Sequence, residues 1–260
     1  MAKTGRPFES KISLREEAMR IHLFMLYRYT NAISHESNED KIKILKCNRS
    51  LAYLRTKQFE AALSDTGYPN FGPKPLEKVL YRAAKSLYSL QRFTDCDTVL
   101  RTLCASSPNN EQAAELSEHH RRRCLETMTG DYDFKQLQEE AEKLQPMDHA
   151  TWLGPTEIRD VAHKGRGLFV TKAVKAGDLL LCEKAFGYAP GNRVGNSEPK
   201  VLLNLERQGF FNGSQVDLIS LIVQELRRNP SLAPAFFDLH QDIRHPPEKL
   251  PVDELPAVDT

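Results

Sequence analysis

An internal repeat constrains the fold of this chain more strongly than any other feature of its sequence. Residues 43–76 overlay residues 77–110 at an offset of 34 positions. The overlay pairs residues of similar size: Leu45 with Val79, Ser50 with Ala84, Tyr53 with Leu87, Phe59 with Phe93, and Ala62 with Cys96. Small side chains at the eighth and twentieth positions let two antiparallel helices approach closely. Because one helix pair cannot bury its apolar face, the repeat predicts at least three stacked pairs.

This repeat resembles the tetratricopeptide repeat, which has the same period, small residues at the same two positions, an aromatic residue at the seventeenth and a closing proline, here Pro108. The resemblance implies an all-α repeat domain, which we assign to residues 1–145. Apolar periodicity predicts helices at 13–34, 41–54, 59–66, 111–127 and 134–144, with a loop at 67–73. The stretch 29–33 is either the second helix of an earlier unit or the end of one long helix, and the sequence leaves both open.

Three polar positions of the repeat suggest a peptide site. Asn48 is the sixth residue of its unit, and Lys78 and Arg82 are the second and sixth of the next. Lys78 and Arg82 are spaced i, i+4, which predicts one shared helix face. These residues resemble part of the carboxylate clamp by which some tetratricopeptide proteins hold the acidic C-termini of chaperones. The earlier unit lacks the lysine and asparagine that complete the clamp, and a packing role for Asn48 remains the alternative.

A second constellation lies in the C-terminal half. Gly165 and Gly167 flank Arg166, and apolar runs follow at 168–170 and 179–181, on either side of a Lys-Ala-Gly-Asp sequence. This pattern predicts a hairpin of the two apolar runs. Because glycine lets a ligand approach the backbone closely, the Gly-Arg-Gly loop is either a small-molecule site or a plain turn.

The wider pattern resembles the opening hairpins of SET-domain protein-lysine methyltransferases, and within them the tetratricopeptide-containing relatives of the SMYD group. The residues that carry the resemblance are Glu157, Ile158, Arg159, residues 164–169, residues 174–178 and Glu183. The likeness covers residues 155–190 and, more weakly, 199–240. It implies that S-adenosylmethionine is the cofactor and that it contacts Lys164, Gly165, Arg166 and Gly167. The two basic side chains would lie beside its carboxylate, where charge-assisted hydrogen bonds are strong.

Other parts of a SET site are not found. In the family, an Asn-His segment and a late tyrosine help to build the catalytic channel, and this sequence has no Asn-His dipeptide. We therefore expect residues 155–260 to be a partial SET domain, truncated before its catalytic half. We assign no catalytic residue, and we expect the chain alone to be inactive and to bind the cofactor weakly or not at all.

Composition limits the remaining classes of function. A formal net charge of +1 gives no reason to expect nucleic-acid binding, and no apolar run approaches a membrane span of about 20 residues. The N-terminus lacks the apolar segment of a secretory signal. Five scattered cysteines favour a reducing compartment, the cytoplasm or the nucleus, over disulfides or a metal site such as the paired cysteines of the MYND module.

These observations predict an α+β chain: tetratricopeptide-like helices, then the N-terminal β-hairpin part of a SET domain plus further helices at 201–211, 216–226 and 232–239. We expect Trp152 to pack where the two parts meet, and the basic run at 119–123 to be a solvated face. Two functions remain open. One is the N-terminal part of a protein-lysine methyltransferase whose repeat groove binds proteins or peptides. The other is a non-catalytic scaffold that binds peptides or chaperone tails.

Overall fold

A computed structural model describes residues 7–143, 147–189, 201–205 and 209–239. The helices are α1 (Pro7–His35), α2 (Glu39–Arg55), α3 (Phe59–Asp65), α4 (Glu77–Ser89), α5 (Phe93–Ser106), α6 (Glu111–Thr129), α7 (Phe134–Ala141), α8 (Ser214–Arg228), a 3-10 helix (Pro230–Leu232) and α9 (Ala233–Phe237). The strands are β1 (Trp152–Leu153), β2 (Thr156–Val161), β3 (Gly165–Val170), β4 (Leu181–Cys182), β5 (Val201–Asn204) and β6 (Gly209–Asn212). The α+β class with N-terminal helical repeats is confirmed.

The 34-residue period is visible in the backbone. The helix pairs α2–α3 and α4–α5 repeat the same geometry, and each inter-helix turn contains one left-handed residue, Lys57 (φ 61°) or Gln91 (φ 58°), at equivalent positions. Leu80, Leu87 and Leu103 are fully buried between the helices. Phe93 is partly buried and packs edge-on against Tyr88, with ring centroids 5.9 Å apart.

The first helix settles the question about residues 29–33, because α1 runs unbroken for 29 residues. Polar caps fix the start of three later helices. Asn38 accepts from two backbone N–H groups at the start of α2, Asn110 caps α6 and Asp133 caps α7. Gly130 ends α6 in the left-handed conformation, with φ 68°. Within the described residues, we find no helix both long and apolar enough to span a membrane.

Two sequence predictions for the C-terminal half are wrong. The apolar runs 168–170 and 179–181 do not pair with each other. β3 pairs with the preceding β2 across a turn at His163 (φ 63°), and β4 pairs with β1. Residues 201–204 and 209–211 are not helical, because they belong to β5 and β6, which pair antiparallel. A short apolar run fits the 3.6-residue period of a helix as well as the two-residue period of a strand. Only the presence of a pairing partner therefore decides between strand and helix.

Smaller corrections concern helix ends and the basic run. The sequence favours Ser214 as the N-cap of the helix predicted at 216–226, but Gly213 is the N-cap of α8 and Ser214 is its first residue. The run at 119–123 is not wholly solvated, because His120 and Arg123 are buried. Their i, i+3 spacing places them on the inner side of α6, while Arg121 and Arg122 are exposed near Glu118. Four prolines between residues 246 and 256 predict an irregular tail from residue 245 onward, and this part of the chain lies outside the described residues.

The two halves of the chain pack together around Trp152. A Cβ built on Gly130 would lie 2.5 Å from the indole, and one on Gly154 would be equally close, so both glycines touch the ring directly. The predicted packing of Trp152 at the junction is therefore confirmed. α8 also packs on α3. The boundaries at 1–145 and 155–260 stay a prediction.

Candidate functional site

The β2–β3 hairpin holds the four predicted cofactor residues. Its register pairs Asp160 with Arg166 and Arg159 with Gly167. The tight connection needs left-handed backbone at His163 and at Gly165 (φ 75°), and it is closed by a hydrogen bond of 3.0 Å from Lys164 N to Val161 O. Gly165, Arg166 and Gly167 thus form the start of a strand and not the loop that the sequence predicted.

The predicted cofactor residues lie at the surface. Lys164, Gly165 and Arg166 are exposed, and Gly167 is partly buried. A Cβ on Gly165 would meet no atom within 4 Å, whereas one on Gly167 would lie 2.9 Å from the Phe169 ring. The described residues therefore offer one open wall at this hairpin and no enclosed pocket.

Arg166 already holds a carboxylate in this structure. Its Nη1 donates to Asp238 Oδ2 over 2.7 Å, and its Nη2 donates to the backbone carbonyl of Asp238. Asp238 directly follows α9, which the chain brings back to the hairpin 72 positions later. The guanidinium is therefore engaged by a carboxylate of the chain itself, which a carboxylate ligand would have to displace. Sequence reasoning missed Asp238 because no local pattern links it to Arg166.

The three predicted peptide-binding residues do not share one surface. Asn48 and Lys78 are exposed. Arg82 is 8% exposed, and its Nη1 donates to the Cys47 carbonyl and lies 3.1 Å from Cys47 Sγ. The arginine thus joins consecutive repeat units. The clamp stays a prediction, and the burial of Arg82 is unfavourable to it.

A buried ionic network lies between α6, α7 and the connection to β1. Glu126, which is 7% exposed, accepts from Arg123 Nη2 at 2.7 Å and from the Ala150 N–H at 2.8 Å. His149 Nδ1 lies 2.9 Å from Glu126, and its Nε2 lies 2.9 Å from Glu140. The only sequence signal for this network was the i, i+3 spacing of Arg123 and Glu126 on one helix. This arrangement fixes the junction.

A cleft with a volume of about 820 Å³ opens beside this network. One wall comes from the helical repeats, including Tyr88 and Phe93, and the other from residues after β4 and from α8 to α9, including Phe186 and Phe236. Tyr88 donates its hydroxyl to Asp148 over 2.7 Å. Burial, and then this hydrogen bond, raise the pKa of Tyr88 well above its usual value, so the phenol stays a neutral donor.

None of the five cysteines is among the residues that line this cleft. All five are free. Burial raises the pKa of Cys96 to about 12, and burial also raises the pKa of Cys124, although its sulfur lies 3.4 Å from His120 Nε2. Since only the thiolate is a strong nucleophile, these two cysteines are structural. Among the described residues, no three His, Cys, Asp or Glu side chains cluster as metal ligands would.

Two curated proteins are similar to this chain. A protein of Gibberella zeae named "Methyltransferase" is 36% identical over 234 residues, which are 89% of this chain and 32% of that protein. The "DNA polymerase interacting tetratricopeptide repeat-containing, protein of 47 kDa" of Drosophila melanogaster is 29% identical over 102 residues, which are 39% of this chain and 26% of that protein. The chain therefore spans about a third or less of each relative's length. No protein-family model and no solved structure matches it.

Proposed function

We propose that this chain supplies the protein-interaction repeats and the first hairpins of an S-adenosylmethionine-dependent protein-lysine methyltransferase. The observation that carries the proposal is the 36% identity to a protein named as a methyltransferase across 89% of the chain. The tetratricopeptide protein of Drosophila supports the repeat half. In this proposal the helices hold a partner protein, and the β-rich part takes part in methyl transfer.

The residues of the hairpin suit the cofactor's amino-acid end. Arg166 donates to the carboxylate of Asp238 through one nitrogen and to the backbone carbonyl of Asp238 through another. Lys164 is exposed two positions before Arg166. S-adenosylmethionine would supply a sulfonium methyl group, and the acceptor lysine must be a neutral amine, although free lysine has a pKa near ~10.4. The role of Lys164 and Arg166 is to hold and orient the carboxylate by charge-assisted hydrogen bonds.

One open wall gives a weak site. We expect the 260-residue chain to bind S-adenosylmethionine with a dissociation constant of about 1 mM or higher, which corresponds to a binding free energy of roughly 4 kcal/mol or less. A ligand on the hairpin keeps most of its hydration and buries little apolar surface. In ¹H–¹⁵N spectra, millimolar cofactor should move the amide signals of Gly165 and Gly167. Arg166→Ala should remove these shifts, and Gly167→Val should do so by crowding the strand.

The control is Arg121→Ala, which removes an exposed arginine of α6 that pairs only with Glu118 among the described residues. This variant should leave the cofactor shifts unchanged. Micromolar binding by the wild-type chain would contradict the weak, one-sided site. Shifts elsewhere, with none at Gly165 or Gly167, would remove these residues from the cofactor assignment.

The second candidate is a non-catalytic scaffold that binds the acidic tails of chaperones or other peptides. Its support is the similarity to the Drosophila protein, together with exposed Asn48 and Lys78 on consecutive repeat units. We expect a fluorescein-labelled acidic peptide with a free C-terminal carboxylate to bind several-fold more weakly to Lys78→Glu. The matched control is Lys46→Glu on exposed α2 surface. Equal binding to wild type and Lys78→Glu, measured by fluorescence anisotropy, removes the clamp.

A further inference from the structure

We propose that residues 229–238 form a strap by which the helical repeats keep Arg166 occupied, so that Asp238 competes with the cofactor for this guanidinium. The inference rests on the proposed function, because it concerns regulation of the same hairpin. The strap begins at Asn229, continues through the 3-10 helix and α9, and ends at Asp238, which lies 72 positions after the arginine that it contacts.

The Asp238 end of the strap engages two nitrogens of Arg166. Nη1 donates to Asp238 Oδ2 over 2.7 Å, and Nη2 donates to the backbone carbonyl of the same residue. A guanidinium binds a free carboxylate through a similar pair of donors. Among the described residues, Asp238 is the only one that forms an ion pair with Arg166. The donors that suit the carboxylate of S-adenosylmethionine are therefore used by the chain itself.

The other end of the strap is fixed to the start of α3. Asn229 is completely buried, its Oδ1 accepts from Phe59 N at 2.9 Å, and its Nδ2 donates to Lys57 O at 3.1 Å. Two positions later, Ser231 N donates to Glu60 Oε1 over 2.9 Å. Three hydrogen bonds thus hold the beginning of the strap against the turn between α2 and α3 and against the first turn of α3.

Helical structure and one aromatic contact restrict the strap between its two ends. The 3-10 helix is followed directly by α9, which closes with a hydrogen bond of 3.0 Å from Asp238 N to Pro234 O. The Phe236 ring packs on Phe186, with ring centroids 5.1 Å apart. Because short helices keep their length, a displacement at α3 is carried to the carboxylate that holds the arginine.

The exposure of the ion pair limits the strength of this competition. The side chain of Arg166 is 39% exposed and that of Asp238 is 76% exposed. An ion pair in solvent shifts an equilibrium by up to about fivefold. A ligand that needs the free arginine loses affinity in proportion to the fraction of chains in which the arginine is free. Release of the strap at α3 therefore strengthens cofactor binding at the hairpin by a factor of this size.

The first test needs no ligand. Asp238→Asn keeps the size of the side chain and removes its charge, and it should move the amide signals of Gly165 and Gly167 in ¹H–¹⁵N spectra. Glu60→Ala removes an anchor of the strap on α3 and should move the same signals in the same direction. The control is Glu118→Ala on exposed α6 surface, which should leave them in place. Circular dichroism should show the wild-type helix content for every variant.

Titration with S-adenosylmethionine tests the competition. Asp238→Asn and Glu60→Ala should each strengthen the binding, by up to about fivefold relative to the wild-type chain. The double variant should bind no more tightly than the tighter single variant, because both substitutions act on the same contact. Asp97→Asn, which breaks another surface pair of aspartate and arginine on α5, should not change the affinity.

Two results would overturn the strap or the competition. If Glu60→Ala leaves the ligand-free signals of Gly165 and Gly167 unchanged, the strap does not link α3 to the hairpin. If Asp238→Asn binds the cofactor no more tightly than the wild type, Asp238 is not a competitor. The absence of cofactor shifts in every variant rejects the proposed function and the competition, whereas joint movement of the ligand-free signals would still establish the strap.

Discussion

Glu126→Ala is expected to lower the free energy of unfolding by about 3–5 kcal/mol, because it removes the acceptor from a buried charged network. The carboxylate accepts from Arg123 at 2.7 Å and from the Ala150 N–H at 2.8 Å, and it lies 2.9 Å from His149. With alanine, the buried guanidinium loses its ion pair to Glu126. The connection to β1 loses two of its bonds to α6 at the same time.

Urea denaturation followed by circular dichroism measures this change. The matched control is Glu118→Ala on the same helix, where the carboxylate pairs with exposed Arg121 and the expected loss is below about 1 kcal/mol. Glu126→Gln keeps the acceptor oxygen but loses the charge, so an intermediate loss is expected. Equal effects for Glu126→Ala and Glu118→Ala would mean that the network contributes no more than a surface pair.

Asn229→Ala is expected to cost about 2–3 kcal/mol, because the buried amide satisfies backbone groups that have no other partner in the described residues. Its Oδ1 accepts from Phe59 N at 2.9 Å, and its Nδ2 donates to Lys57 O at 3.1 Å. It thereby acts as the N-terminal cap of α3 from a position 170 residues later. The residue in the N-cap position of that helix, Gln58, makes no side-chain cap.

Hydrogen exchange distinguishes this role from simple packing. Asn229→Ala should speed amide exchange in both α3 and α8, because the residue joins the two helices. Asn229→Asp keeps the acceptor but cannot donate to Lys57 O, and it sets a second carboxylate beside Glu225. It should therefore destabilise at least as much as alanine. Asn109→Ala in an exposed turn is the control, and a loss confined to α8 would contradict the capping role.

The repeat could be predicted because the residues that specify it lie close together in the sequence. Small residues at fixed positions, apolar spacing and a 34-residue period act within one unit and its neighbour. The same positions therefore give the same turn, with left-handed Lys57 and Gln91. The helix starts at Phe59 and Phe93 agree with the overlay to the residue.

Apart from the packing of Trp152, the long-range contacts could not be predicted, because they join residues far apart in sequence. Nothing local shows that Asn229 will cap α3 or that Asp238 will reach Arg166. Strand pairing poses the same problem. Residues 168–170 pair with β2, which precedes them in the sequence, and not with residues 179–181, which follow them. The charge of Arg82 predicts a position on the surface. Its guanidinium is instead buried and bonds to Cys47.

The environment of Trp152 has an experimental consequence. It is the only tryptophan of the chain, and its ring touches Gly130 at the end of α6 and Gly154 beside β1. Intrinsic tryptophan emission therefore reports the packing of Trp152 against the end of α6, while far-ultraviolet ellipticity reports mainly the helices. A single urea titration followed by both signals shows whether the halves separate before the repeats melt or together with them.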